Sequence, residues 1–183
     1  HKLDNYVNIS FQLLKVDASS SLTEIRKALE YICKKLHHLE KIELPKDNKG
    51  FTNLNQMIGN LITKNIIRST IYYKLHSIRS EANYASHDNK FKVNEWTAQN
   101  SFNTMLEIIL WLIIKYNFSE EFKDKIESLL EIQIKSRTEK IKISIEETMS
   151  NPHYYNDLEY LEKHNYLYID LIKNSILIVT GTN

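Results

Sequence analysis

Arg79, Asn83 and His87 are the residues whose types and spacing best fit a chemical site. They lie four residues apart. On an α-helix each such step advances about 40° beyond a full turn, so the three side chains form a slanting row on one face. An arginine and a histidine in one row supply a fixed cation and a base that titrates near neutral pH. The same residue types are also common on a solvated helix end, where histidine meets the C-terminal dipole, so both interpretations stay open here.

Side chains beside this row add a second kind of chemistry. His76 lies one turn before it, and Tyr72, Tyr73 and Tyr84 flank it. Tyrosine rings can stack on nucleic-acid bases, and they are equally at home at the edge of a helical bundle or in a homodimer seam. The candidate nucleic-acid-binding residues are therefore Arg79, Tyr84 and His76, with an ordinary surface position as the alternative for His76.

The neighbouring residues His37 and His38 have no acidic partner at the spacing of metal ligands. We interpret the pair as the polar end of a helix, and we expect neither a metal nor another cofactor. Cys33 is the single cysteine, which excludes an internal disulfide and a cysteine-built zinc site and suits a reducing interior. Its place beside an apolar stripe predicts a small core residue.

A helix over about 70–86 must position the row, with its apolar residues facing a core on the other side. Ser21–Glu24 has the form of a capping box and predicts the start of the clearest amphipathic helix, whose apolar stripe runs to Leu39. Asn94 can cap a further helix whose buried face would include Trp96. Because that helix is apolar on most sides, the sequence predicts it at the centre of a bundle.

Composition favours helices, since 183 residues contain only 3 Gly and 2 Pro. No run approaches 18 apolar residues and no signal peptide is recognisable, so we predict a cytoplasmic protein without a membrane span. The net charge of +1 hides an asymmetry: residues 1–118 hold 16 Lys and Arg against 11 Asp and Glu, whereas 119–183 hold 8 against 12. The mildly basic first part can meet nucleic acid. A start at His1 rather than Met suggests a tag remnant or a fragment of a longer chain with further domains.

The pattern of residues 119–183 predicts a small winged-helix-like α+β unit. Ile141, Ile143 and Ile145 alternate with polar residues, which is the period of a strand. The predicted order is helix, short strand, helix, helix and hairpin, with the last helix at 154–165 and the hairpin at 166–180. The acidic character of 154–165 favours packing or protein binding over DNA binding. The predicted fold is mainly α: a helical bundle over 1–118, followed by this unit.

Two stretches carry a resemblance to a known family. Leu75–His87, LHSIRSEANYASH, is similar to the pattern LH.IR..GN.A.H, and Asp17–Glu30 is similar to a helix of the form DP…SL..LR…E. Both patterns are those of the HEPN superfamily of helical nucleotide-binding and ribonuclease domains, which the first part of the chain therefore resembles. More narrowly, residues 10–116 resemble the domain of unknown function that precedes the helicase engine in type I restriction R subunits and occurs in bacterial defence proteins.

The resemblance implies that two protomers pair and bring their Arg and His rows together in one cleft for metal-independent RNA cleavage. On that pattern Arg79 holds the phosphate, His87 transfers the proton of the 2′-OH or of the leaving oxygen, and Asn83 orients the substrate or the ring. His76 would assist. The implied setting is a bacterial restriction or phage-defence system. The alternative is a non-catalytic dimerisation or regulatory module of a larger protein, which the seven residues between Arg79 and His87 favour.

Overall fold

Six α-helices make up most of the computed structural model, which describes residues 2–47, 49–87 and 93–150, with side chains given outside 84–87, 137 and 140–150. In chain order they are α1 (Lys2–Leu13), α2 (Ala18–Leu39), α3 (Leu54–Thr63), α4 (Ser69–His87), α5 (Glu95–Tyr116) and α6 (Glu120–Ser150). No strand occurs within the described residues. The prediction of a mainly α fold is confirmed for this part of the chain.

The central helix of the bundle is α2, which packs against α1, α3, α4 and α5. Apolar residues at alternating steps of three and four form its fully buried stripe: Leu22, Ile25, Leu29, Ile32 and Leu36. The sequence predicted α5 at the centre instead. The apolar surface of α5 is only partly covered, since Ile114 near its end is 64% exposed.

The start of α2 differs from the predicted capping box. Asp17 is the N-cap, and its carboxylate accepts hydrogen bonds from the backbone N–H of Ser20 at 3.0 Å and from the Ser20 hydroxyl at 2.6 Å. These hydrogen bonds lower the pKa of Asp17. Ser21, the predicted cap, is buried one turn inside the helix and donates to the carbonyl of Ser10 at 2.9 Å. The earlier start lengthens α2 by one turn.

The helix α4 begins within one residue of its predicted start and turns an apolar face to the core. Leu75, Ile78 and Ala82 are buried on that face, as predicted. The Ser101 hydroxyl of α5 donates to Glu81, which joins α4 to α5 on this side of the helix. The helix therefore has a fixed rotation, and Arg79 and Asn83 lie about 160° around it from Glu81.

Trp96 corrects a prediction about α5. Asn94 caps this helix as predicted, because its side chain accepts from the backbone N–H of Thr97 at 2.8 Å. Trp96 was expected on the buried face, yet it is 62% exposed. It lies six residues before the buried Phe102, which places it about 240° around the helix. The first turn of α5 thus presents its large ring to solvent.

The strand predicted around Ile141–Ile145 is wrong, because these residues lie within α6. Three alternating residues are too few to separate the two periods, and Ile141 and Ile145 also share a helix face at i and i+4. No Gly or Pro interrupts the chain between Ser119 and Ser150, so nothing stops the helix. The winged-helix interpretation therefore loses its first strand, and its helix at 154–165 and hairpin at 166–180 lie outside the described residues.

The chain divides into two compact units, and the first ends at Leu130, inside α6. The predicted domain boundary after residue 118 stays a prediction. None of the described helices combines the length and the apolar character that crossing a bilayer requires.

Candidate functional site

A cleft of about 420 Å³ opens where α4 meets α2 and the start of α3. Six residues line it and define what we term the arginine cleft: Arg26, Asn53, Leu54, Asn55, Arg79 and Asn83. Arg79 and Asn83, two members of the predicted row, thus share a concave surface as the helical spacing indicated. Two guanidinium groups and three amides from three elements converge there.

Arg26, Asn53, Leu54 and Asn55 line this cleft but were not identified as site residues from the sequence, and Arg26 is the charged one among them. It lies on α2 and donates from Nη1 to the Oδ1 atom of Asn83 on α4, 57 residues further along the chain. The amide of Asn83 therefore holds the guanidinium of Arg26 beside that of Arg79. The available signal was the first resembling stretch, which contains Arg26, but its spacing alone does not relate it to α4.

Arg79 is partly buried and retains hydrogen-bonding capacity. Its Nη2 group donates to Nδ1 of His76 at 3.3 Å, so the proton of the neutral His76 ring is on Nε2. Its Nε atom is buried and has no hydrogen-bond partner among the described residues. Burial, and then the charge of Arg79, lower the pKa of His76. His76 is therefore a neutral donor beside a guanidinium that can still bind an anion.

The start of α3 closes the third side of the cleft. Asn53 is its N-cap and forms a capping box with Gln56: the Asn53 side chain accepts from the Gln56 backbone at 2.9 Å, and the Gln56 side chain accepts from the Asn53 backbone at 3.2 Å. The first N–H groups of a helix have no acceptor within the helix, and the dipole is positive at this end. The α3 start therefore adds partial positive charge to the cleft.

The arginine cleft has a formal charge of +2, since its six lining residues include no carboxylate. The nearest acid along α4, Glu81, is bound by Ser101 toward α5. Two guanidinium groups beside amides and a helix start suit a phosphate or phosphodiester, which accepts several hydrogen bonds at once. Such an arrangement can bind and orient an anion, and its six lining residues include no histidine or carboxylate that could act as a base.

An aromatic group extends the polar face of α4 away from the cleft. The rings of Tyr72 and His76 pack with centroids 4.5 Å apart, and the ring of Tyr73 lies edge-on to that of Tyr72 at 5.4 Å. Tyr73 is 69% exposed. Tyr72, His76, Arg79 and Asn83 follow one another at steps of four, three and four, so they share one helix face over about 16 Å.

His87 and Tyr84, the other predicted site residues, belong to the last turn of α4. Their side chains lie outside the described part of the chain. The backbone places His87 eight residues after Arg79, about 12 Å further along the axis and 80° around it. The predicted pairing of Arg79 with His87 therefore stays a prediction.

A second cleft, of about 910 Å³, lies at the other end of α2 and contains the predicted histidine pair. We term it the histidine cleft; its lining consists of Lys34, His37 and His38 of α2, residues 42–46, and Asn60 and Lys64. His38 is exposed, as a polar helix end predicts, whereas His37 is buried, against that prediction. Within the described residues, no three His, Cys, Asp or Glu side chains are grouped so as to hold a metal ion.

Cys33 lies one turn before His37 and is fully buried, so its predicted role as a small core residue is confirmed. Burial, with a smaller effect of Glu30, raises the pKa of its thiol to about 12. The thiol is therefore protonated at neutral pH and has no chemical role at either cleft.

Comparison with known proteins gives one match. A family model described as "Domain of unknown function (DUF4145)" matches residues 8–142, a range that includes both clefts. No curated protein and no solved structure matches the chain.

Proposed function

Since the chain belongs to the family described as Domain of unknown function (DUF4145), we propose a function from its own geometry: the arginine cleft binds the phosphodiester backbone of RNA. The observation that carries the proposal is the convergence of Arg26 and Arg79 on one surface without a carboxylate. A guanidinium binds phosphate oxygens through paired donors, and Arg26 and Arg79 are both only partly buried.

The rings of Tyr72 and Tyr73 support a single strand as the ligand. They lie on or beside the face of α4 that carries Arg79, and base stacking on aromatic rings next to cations is the common basis of single-strand binding. A duplex would hold its bases in its own stack and leave these rings unused.

Measured binding of a fluorescein-labelled, single-stranded 12-mer RNA would test the proposal. We expect Arg26→Ala and Arg79→Ala each to weaken binding about tenfold, because each removes charge-assisted hydrogen bonds to phosphate. Each should also reduce the slope of log K against log salt concentration by about 0.7. The matched control is Arg68→Ala, since Arg68 is exposed and does not line the cleft. Equal binding by all three variants would reject the cleft as the RNA site.

Cleavage forms the second part of the proposal. As the HEPN resemblance implies, Arg79 would stabilise the charge on the phosphate, while His87 of a paired protomer row would transfer the proton of the 2′-OH or the leaving oxygen. Asn83 would orient the strand, since its amide already contacts Arg26. The setting would be a bacterial restriction or phage-defence system in the cytoplasm.

RNA incubated with the protein in EDTA should then yield products with 2′,3′-cyclic phosphate ends. We expect His87→Ala to abolish cleavage and to retain RNA binding within about threefold, because it removes the proton-transfer group and leaves both arginines. Persistent cleavage by His87→Ala would remove His87 from the mechanism. Binding without cleavage by the unaltered protein would favour the alternative, a non-catalytic dimerisation or regulatory module of a larger protein.

A further inference from the structure

The cations around the histidine cleft are exposed and come from three separate elements. Lys34 is on α2, Lys64 follows α3 directly, and Lys46 lies in the loop between these helices. Glu43 is the one carboxylate in the lining, which gives the cleft a formal charge of +2. Lys34 is shared with Glu30 of its own helix, 3.8 Å away. Lys46 and Lys64 form no ion pair within the described part of the chain, so their charges are free for an anionic ligand.

Aliphatic side chains accompany these lysines and distinguish this cleft from the arginine cleft. Ile42, Leu44 and Pro45 line it, and Leu44 is 37% exposed. Among the described residues of the lining there is no Arg, Phe, Tyr or Trp. Single-stranded nucleic acids stack their bases on aromatic rings and pair their phosphates with arginine, whereas aliphatic surface suits an apolar side chain. The lining therefore favours a peptide that carries carboxylates over a nucleic acid.

The loop after α2 is held in place at both ends and has main-chain donors to spare. The N–H group of Ile42 donates to the last turn of α2 at 2.9 Å, and the carbonyl of Pro45 accepts from the Thr52 hydroxyl at 2.8 Å. Between these points, the N–H groups of Glu43 and Leu44 form no hydrogen bond with any described residue. Because Leu44 precedes a proline, its backbone is biased toward the extended conformation. An ordered, extended edge of this kind can bind the main chain of a peptide at a low entropic cost.

We propose that the histidine cleft binds an acidic peptide segment of a partner protein, in which a bulky apolar residue is flanked by Asp and Glu. The apolar residue packs on Leu44 and Pro45, and the flanking carboxylates pair with Lys46 and Lys64. Complementary charge of this kind contributes to specificity and speeds the encounter. The site shares no residue with the arginine cleft and does not depend on the RNA-binding proposal.

Fluorescence anisotropy with a synthetic peptide would test the site. The probe is a fluorescein-labelled peptide with a Leu-Ile pair between runs of Asp and Glu. We expect saturable binding that weakens about threefold in Lys46→Ala and in Lys64→Ala, and about tenfold in the double variant, because each change removes a partly exposed ion pair. Leu44→Ser should weaken binding about fivefold through lost apolar contact. The matched control is Lys15→Ala, an exposed lysine that does not line the cleft and whose loss should leave binding unchanged.

Two altered peptides separate the contributions of charge and apolar contact. One has Asn and Gln in place of the acids, and the other has Ser in place of the Leu-Ile pair. We expect each to bind at least about tenfold more weakly than the probe. In nitrogen–proton NMR spectra, the backbone amide signals of Glu43 and Leu44 should shift on addition of the probe and stay fixed on addition of the peptide without acids.

Several outcomes would overturn the proposal. Equal binding of the three peptides would do so, as would undiminished binding of the probe by the double variant of Lys46 and Lys64. If that double variant lost more affinity for the single-stranded RNA than Arg79→Ala does, the cleft would be a nucleic-acid surface instead. Loss of probe binding in Arg26→Ala with full binding in the double variant would place the peptide in the arginine cleft.

Discussion

At the scale of single residues, Asn83 links the two arginines of the cleft. Its Oδ1 accepts from Arg26 on another helix, and its own helix carries Arg79 one turn earlier. Without such an acceptor, two guanidinium groups on one surface would repel each other and turn toward solvent. An amide can hold Arg26 while leaving its charge uncompensated, which a carboxylate cannot do. Asn at this position therefore leaves the charge of Arg26 available for an anion, whereas Asp would stabilise the helix contact and neutralise that charge.

Asn83→Asp tests this difference. We expect RNA affinity to fall about tenfold or more, because the new carboxylate neutralises one cation of the cleft. The free energy of unfolding from urea titration should stay equal or rise, because a carboxylate still accepts from Arg26 and does so with charge assistance. The companion variant Asn83→Ala should lower both quantities, because it removes the acceptor that holds Arg26 in the cleft. A parallel fall of stability and RNA affinity in Asn83→Asp would contradict this assignment.

His76 provides a pH-dependent prediction at the same scale. Burial, and then the charge of Arg79, lower its pKa in the folded protein below the ordinary 6.5. The unfolded chain then binds a proton at higher pH than the folded chain, so the His76 contribution to stability is fully present above pH 6.5. It is lost as pH falls through the lowered pKa. NMR titration should place the His76 pKa below 6.5.

Two variants check the origin of this shift. Arg79→Gln should raise the His76 pKa only part of the way toward 6.5, because the charge is removed while the burial remains. In His76→Gln the free energy of unfolding should no longer fall between pH 6.5 and the lowered pKa of His76, because the titrating ring is gone. A His76 pKa at or above 6.5 in the unaltered protein would show that Arg79 and burial do not act on this ring as the structure indicates.

At the scale of elements, the short helix α3 contributes its first residues to the arginine cleft. Asn53, Leu54 and Asn55 bring a helix start, with its free N–H groups, to the polar face of α4. The capping box between Asn53 and Gln56 fixes where this helix begins. A start one residue earlier or later would rotate the N–H groups away from the cleft by about 100°.

Substitutions at this cap should separate helix stability from anion binding. Asn53→Ala should lower the free energy of unfolding by about 1 kcal/mol, because Ala cannot accept from the Gln56 backbone. Asn53→Asp should keep that stability, since Asp is an equally good cap, but should weaken RNA binding by adding a negative charge to the cleft. The measurements are urea unfolding and fluorescence anisotropy. RNA binding by Asn53→Asp equal to that of the unaltered protein would place the strand away from α3.

At the scale of the first compact unit, α2 holds the two clefts and most of the core together. Arg26 near its start faces one cleft and His37 near its end lines the other, while its apolar stripe packs on four helices. Beyond its end, Glu40 accepts from Lys115 of α5 at 3.1 Å, and Lys115 also donates to the carbonyl of Ile66 at 2.9 Å. The position of both clefts therefore depends on one rigid element.

Phe102 tests whether a core residue outside α2 lowers stability without altering the arginine cleft. It is fully buried on α5, and its ring lies 5.8 Å from that of Phe11 on α1. Phe102→Ala should lower the free energy of unfolding by about 3–5 kcal/mol, through lost apolar burial and the cavity that remains. RNA affinity, measured at a temperature where the variant is still folded, should stay within about threefold. The control Trp96→Ala removes an exposed ring of the same helix and should change stability by less than about 1 kcal/mol.

The sequence by itself determined the local features of this protein. The bounds of α4, the cap at Asn94 and the buried faces of α2 and α4 follow from short-range spacing and hydrogen bonding, which act within a few residues. Local signals were ambiguous at Ser21 and at Ile141–Ile145, where two structures fit the same few residues. There, a competing cap at Asp17 and the absence of helix breakers decided the outcome.

Only the tertiary structure decided which distant groups meet. The contact of Arg26 with Asn83 joins residues 57 positions apart, and the placement of the α3 start beside them depends on how three helices pack. The burial of His37 likewise depends on α3 and on the segment after α2, which periodicity along one helix does not describe. Helical spacing gives direction on a single element, whereas a binding site requires the positions of several elements at once.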